Sequence, residues 1–194
     1  MIPNGADTRL LQPLPREDAR PTLLYVGNMD YNANADAVIS FCRESLPLIR
    51  QAVKDVELWI VGSNPLPEVR RLACDSVHVT GYVEDVKPYY RQSSVCIVPL
   101  HAGSGIRLKI LESMALGRPV VSTSLGCEGL DVEDGVQIMI ADSPAQFAEK
   151  TVRLLQDAAL YQTIVVNARR LVETRYDWDI IAVRFSSLYA RLTH

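Results

Sequence analysis

Short runs of continuous apolar residues recur along the chain, separated by segments whose apolar positions return every three or four residues. The first run, residues 22–26, ends at Gly27-Asn28, as a buried strand entering a tight turn would. A helix follows, capped by Asn34 or Asp36 and running to about Arg50, with Val38, Phe41, Cys42 and Leu46 near helical spacing. The cycle then repeats as strand 56–61, short helix 66–74, strand 77–79, short helix 85–91 and strand 95–100. Helix 106–116, strand 119–122 and a last strand 136–140 complete the alternation. From Ser143 onward the pattern is helical, with breaks near Asp157 and at Tyr176-Asp177.

Strands that are apolar throughout are covered on both faces, and their alternation with helices means a parallel sheet. The expected fold is α/β: a single Rossmann-like doubly wound domain with a parallel sheet of about six strands and a helical C-terminal tail. Residues 1–21, rich in proline and turn formers, form an extended lead-in, and residues 22–194 the domain. Ligands of such sheets sit outside the carboxyl ends of the strands. Attention therefore falls on Gly27-Asn28, Gly62-Ser63, Gly81-Tyr82-Val83, residues 101–105 and residues 122–126.

Composition narrows the ligand. A length of 194 residues suits one domain of this class, and a net charge of −3 gives no general attraction to nucleic acid or anionic lipid. Any anion must be held by local basic groups and helix ends. Cys42, Cys74, Cys96 and Cys127 are scattered without a CxxC pair and are expected as buried or half-buried thiols in a reducing compartment. His78, His101 and His194 are equally dispersed, so no metal site is expected. No apolar run approaches the length of about 18 residues that a membrane span needs, and the N-terminal segment carries several charges. A cytoplasmic location is expected.

The most informative segment is VPLHAGSGIRLKILESMALGRPVVST, residues 98–123. After the strand, Gly103-Ser104-Gly105 allows the backbone to turn sharply and approach a ligand. The helix that starts near Gly105 presents free N–H groups and its positive dipole end, an anion site suited to a diphosphate. Arg107 and Lys109 add positive charge where the dipole disfavours it, which an anion nearby would justify; Ile106 lies in the same turn. Glu112 sits about 10 Å along the axis from Gly105 and, after about 700° of rotation, on nearly the same face. That spacing resembles the distance from diphosphate to ribose hydroxyls. The plainer alternatives are that Lys109 is a solvated lysine paired with Glu112, and that Ile106, Ile110, Leu111 and Met114 are core.

The stretch GSGIRLKILESMALGRPVVST is similar to the signature of the family-4, or group 1, retaining glycosyltransferases of GT-B fold. There, a glutamate at the position of Glu112 binds the ribose hydroxyls. YVGNMDYNANADAV (residues 25–38) resembles that family's first strand and donor-facing loop, making Gly27 and Asn28 donor-binding candidates. LWIVGSNP (58–65) resembles its second strand, and VTGYVEDVKPYYRQSSVCIVPL (79–100) its base-binding loop, where the backbone at Tyr82 and Val83 would read the base. IPNGADTRLLQPLP (2–15) resembles the linker that precedes the donor domain, which implies that an N-terminal acceptor domain is missing.

The resemblance implies transfer of a sugar from a nucleotide diphosphate donor, with retention, without a cofactor or metal, Arg107 and Lys109 stabilising the leaving diphosphate. It implies no nucleic acid partner and no membrane span, with peripheral membrane contact left to the full-length enzyme. This chain alone would be inactive and would expose an apolar face toward the missing domain. Two positions depart from the family pattern. The first glutamate of the motif, eight positions before Glu112, is replaced by Ser104, and the basic residues of the first glycine turn are replaced by Asn28-Met29-Asp30. Competing readings are one half of a nucleotide-sugar 2-epimerase, which would need carboxylates and a histidine from both domains, or a non-catalytic nucleotide-sugar-binding module. A plain NAD-binding domain is disfavoured, because GxGxxG does not follow the first strand.

Overall fold

A computed structural model describes residues 4–17, 20–103 and 108–192. Strands β1 (Thr22–Val26), β2 (Glu57–Val61), β3 (Val77–Val79), β4 (Val95–Val98), β5 (Val120–Ser122) and β6 (Met139–Ile140) form one parallel sheet in the order β3-β2-β1-β4-β5-β6. The chain starts at the middle of the sheet, winds to one edge, returns beside β1 and winds to the other. The direction of winding therefore reverses between β1 and β4, which opens a crevice at their carboxyl ends.

Successive strand residues feed opposite layers. Leu23, Tyr25, Leu58, Ile60 and Ile97 pack with Val38, Phe41, Ile49 and Phe147 on one face. Leu24, Val61, Cys96 and Val98 pack with Tyr90, Ile110, Met114 and Leu171 on the other. The first layer belongs to α1 (Asn32–Ser40), α2 (Leu46–Ala52) and α6 (Pro144–Gln156), and the second to α4 (Lys87–Gln92) and α5 (Leu108–Ala115), while α7 (Ala158–Leu171) sends Ile164 to the first and Ala168 and Leu171 to the second. A one-turn α3 (Pro67–Arg70) links β2 to β3, and α8 (Trp178–Leu192) ends the fold. The continuous apolar runs thus are strands buried on both faces, as expected.

The differences lie at element ends. The first helix starts at Asn32 rather than at a cap on Asn34 or Asp36, and no side chain caps it. It is also interrupted by a π-helical turn, Phe41–Ser45, just before Pro47, which has no N–H to continue the α-helical ladder. The 66–74 helix shrinks to α3, and the 136–140 strand to Met139–Ile140, because Gly135 closes a turn by donating to the Ile138 carbonyl. Asp157 marks a true break: its carboxylate accepts from the Leu160 amide at 2.9 Å and caps α7. Of the four cysteines, all free, Cys74 is exposed rather than buried. Burial pushes the Cys42 thiol up to about 12.

Residues 4–17 do not trail away from the domain. Thr8 binds Asp177 through both its N–H and its hydroxyl, and Arg169 donates to the carbonyls of Thr8 and Leu11. Arg118, only 2% exposed, donates to the carbonyls of Leu14, Pro15, Tyr90, Arg91 and Gly117. One guanidinium thereby ties the lead-in to the end of α4 and the start of β5, and desolvation lowers its pKa. A charge buried this deeply is tolerated because its fork of donors is filled with carbonyl oxygens. Arg118→Met strands those carbonyls. It is expected to lower stability by about 2–4 kcal/mol, and to expose residues 4–17 to limited proteolysis, both measurable on the purified chain.

Candidate functional site

The β1–β2 end of the crevice is shaped by two glycines. A Cβ at Gly62 would lie 1.7 Å from the Gly27 carbonyl oxygen, so the turns after β1 and β2 approach as closely as two backbones allow. A Cβ at Gly27 would meet the Lys109 ammonium at 2.9 Å and the Asn34 amide at 3.1 Å. Lys109, from the first turn of α5, therefore reaches across to the carboxyl end of β1 and seats its charge against the glycine turn. There its Nζ donates to the Tyr25 hydroxyl at 3.0 Å and to Asn34 Oδ1 at 3.2 Å, and lies 4.2 Å from the centre of the Tyr25 ring. The Tyr25 hydroxyl in turn donates to Asn34 Oδ1 at 2.7 Å.

The loop beyond Gly27 is held by the same asparagine. Asn34 Nδ2 donates to the Asn28 carbonyl at 2.8 Å, and Asn28 Oδ1 accepts from the Ser63 hydroxyl at 3.1 Å. Met29 N–H donates to the Ser63 carbonyl and Asn64 Nδ2 to Asp30, closing the β1 loop onto the β2 loop. Asn28 itself is exposed at the rim. Glu112 lies one helical turn beyond Lys109 on α5 and is half-buried. Among the described residues no hydrogen-bond donor reaches its carboxylate. Burial raises its pKa, and the Lys109 charge opposes that shift. A half-buried carboxylate with open acceptor capacity and a cation nearby is suited to a ligand that brings hydroxyl donors beside an anion.

A family model described as Glycosyl transferases group 1 matches residues 20–157. The chain belongs to this family. Phosphatidyl-myo-inositol mannosyltransferase of Mycobacterium leprae (strain TN) is 27% identical over 199 residues, which cover 97% of this chain and 52% of that protein. Among solved structures, the C-terminal domain of a glycosyl transferase group 1 family protein from Francisella tularensis is 20% identical with a TM-score of 0.70, covering 90% of this chain and 100% of that one. Anabaena Alr3699/HepE in complex with UDP and glucose is 18% identical with a TM-score of 0.77, covering 96% of this chain and 55% of that one. These structural likenesses establish the fold, one half of a GT-B architecture. The chain spans about half the length of the curated relatives it matches.

In this group 1 domain, Lys109 reaches Gly27 and the asparagine that holds the Asn28 loop, and Glu112 follows Lys109 on α5. Ser104, Gly105, Ile106 and Arg107 lie outside the described residues; Gly103, immediately before them, is half-buried. Tyr82 projects from the β3 loop with 79% exposure, whereas Val83 packs against the core of the second layer. His101 belongs elsewhere: it lines a small cleft with Glu44, Asp142 and Ser143 that shares no residue with the Lys109–Glu112 group. Asp142 there accepts from the Ser124 hydroxyl and N–H, which hold its carboxyl below the ordinary aspartate value. No cluster of potential metal ligands occurs among the described residues. The residues that sequence reasoning missed are Tyr25 and Asn34. Tyr25 had a signal, as the one aromatic residue of β1; Asn34 had none, because an asparagine at that point reads as a helix cap.

The raised pKa of Glu112 has a definite sign. Folding favours its protonated form, so the ionised carboxylate weakens the free domain at every pH above its folded value. That penalty fades as pH falls through the folded value to the ordinary glutamate value. Glu112→Gln should therefore raise Tm at neutral pH, with the gain shrinking in the carboxylate range. Melting curves across pH would check this; a Tm lowered at neutral pH would contradict it.

Proposed function

We propose that this domain holds the nucleotide diphosphate of a sugar donor during transfer of the sugar to an acceptor bound by an N-terminal half of the same enzyme. The observation that carries the reading is the placement of the Lys109 ammonium against the Gly27 turn with the half-buried Glu112 carboxylate one helical turn away. Lys109 takes the diphosphate, and Glu112 accepts hydrogen bonds from the ribose hydroxyls. The family's basic residues are missing from the first glycine turn; a lysine supplied from α5 puts positive charge back in that space.

The chemistry follows from charge. As the bond between sugar and diphosphate breaks, negative charge accumulates on the departing phosphate oxygens, and a fixed cation lowers that barrier without donating a proton or forming a bond. Lys109 is pre-positioned for this, and Arg107 is proposed to join it. With protein cations in this role the reaction is proposed to need no divalent ion, and to proceed with retention of configuration. Anabaena Alr3699/HepE, a structural relative, binds UDP-glucose, which supports a nucleotide-sugar donor for this chain. The acceptor half has a surface to meet: α8 carries Val183, Phe185 and Tyr189 at 66%, 54% and 63% exposure. No helix among the described residues is long and apolar enough to cross a membrane.

Calorimetric titration of the chain with UDP, GDP and ADP tests the reading. One diphosphate should bind saturably, and Lys109→Ala and Glu112→Ala should each weaken it by about ten-fold, the size expected for losing a hydrogen bond to a charged group. Unchanged affinity in both variants would sink the assignment.

A further inference from the structure

Lys109 does not hold its position by itself. A lysine side chain has four rotatable carbons and a strongly hydrated head, and in the first turn of α5 its default is to extend into solvent. Here the ammonium is drawn back across the crevice to β1 by two residues to which nothing in the donor reading gives a role. Tyr25 is completely buried, and its hydroxyl both accepts from Lys109 Nζ at 3.0 Å and donates to Asn34 Oδ1 at 2.7 Å. Asn34 Oδ1 accepts from both, while its Nδ2 is fixed by the Asn28 carbonyl at 2.8 Å. The amide cannot flip without losing all three contacts.

We propose that Tyr25 and Asn34 are positioning residues that hold the Lys109 ammonium at the Gly27 turn as a ready phosphate ligand, a role that rests on the donor-site reading above. Both anchors are neutral. The tyrosine oxygen, the amide oxygen and the ring face orient the ammonium without cancelling its charge, which a carboxylate at position 34 would do. Pre-organisation of this kind removes the entropy cost of fixing a lysine when the anion arrives. Tyr25 also reports back: its ring is part of the first-layer core, so the rigidity of the sheet is passed directly to the charged group.

The test is a double-mutant cycle on the full chain, with UDP, and GDP alongside it, as calorimetric probes. Tyr25→Phe should weaken nucleotide binding by about five-fold, less than losing the lysine because Asn34 still holds the ammonium, and Lys109→Met by about ten-fold. In the Lys109→Met background, Tyr25→Phe should cost nothing further, because it acts only through the lysine. Asn34→Asp, which keeps a partner but neutralises the ammonium, should weaken binding by about ten-fold. Wild-type affinity in Tyr25→Phe, or a five-fold loss repeated in the Lys109→Met background as a structural role would give, would overturn the positioning role. Wild-type affinity in Lys109→Met would instead overturn the phosphate role of Lys109 itself, and the positioning role with it.

Discussion

The approach of Gly62 to Gly27 is the constraint on which the site depends. Two parallel strands leave the sheet side by side at the same level, and their turns touch backbone to backbone, with room for no side chain between them. That contact keeps the floor of the crevice low and open. Into the space above Gly27 comes the Lys109 ammonium, drawn from α5 and anchored to the β1 residue Tyr25 and to Asn34 on α1. A methyl group at Gly27 would displace the one cation described at this end of the crevice and push on the asparagine that shapes the loop.

The same economy runs through the rest of the domain. Arg118 at the start of β5 and Arg169 on α7 bind the lead-in by its carbonyls, so residues 4–17 are part of the packed body on the side away from the apolar first layer. Each arginine is effective because its planar donors meet several carbonyls at once. The site and the strap share α5, whose Lys109 faces the crevice while the Ala115 carbonyl at its other end accepts from Arg169. Changes to the lead-in therefore have a short mechanical route to the helix that carries the charged groups.

Most of the fold was legible in the residues because buried parallel strands advertise themselves. Runs such as VCIV at 95–98 have no polar face, and all four residues are buried. Helix ends were less legible. The π-helical turn at Phe41–Ser45 depends on a proline two residues further on, and the shortened final strand on a glycine turn, both decided by hydrogen bonds that periodicity does not encode. That Lys109 and Glu112 share one helix was legible from their spacing. Their environments were not: helical spacing offered Lys109 a local partner in Glu112, and only the tertiary fold brings Tyr25, 84 positions away, to its ammonium. Asn34 was misread for the same reason, since an asparagine near a helix start has an ordinary local use that long-range contacts here override.

One nucleotide diphosphate is proposed to lie between the Gly27 turn and α5. A crystal structure of the chain soaked with the diphosphate it binds would decide it. Phosphate oxygens are expected within hydrogen-bonding distance of Lys109 Nζ and ribose hydroxyls on the Glu112 carboxylate, with Tyr25 and Asn34 unmoved. A nucleotide bound instead in the cleft beside His101 and Asp142, with Lys109 and Glu112 untouched, would contradict it.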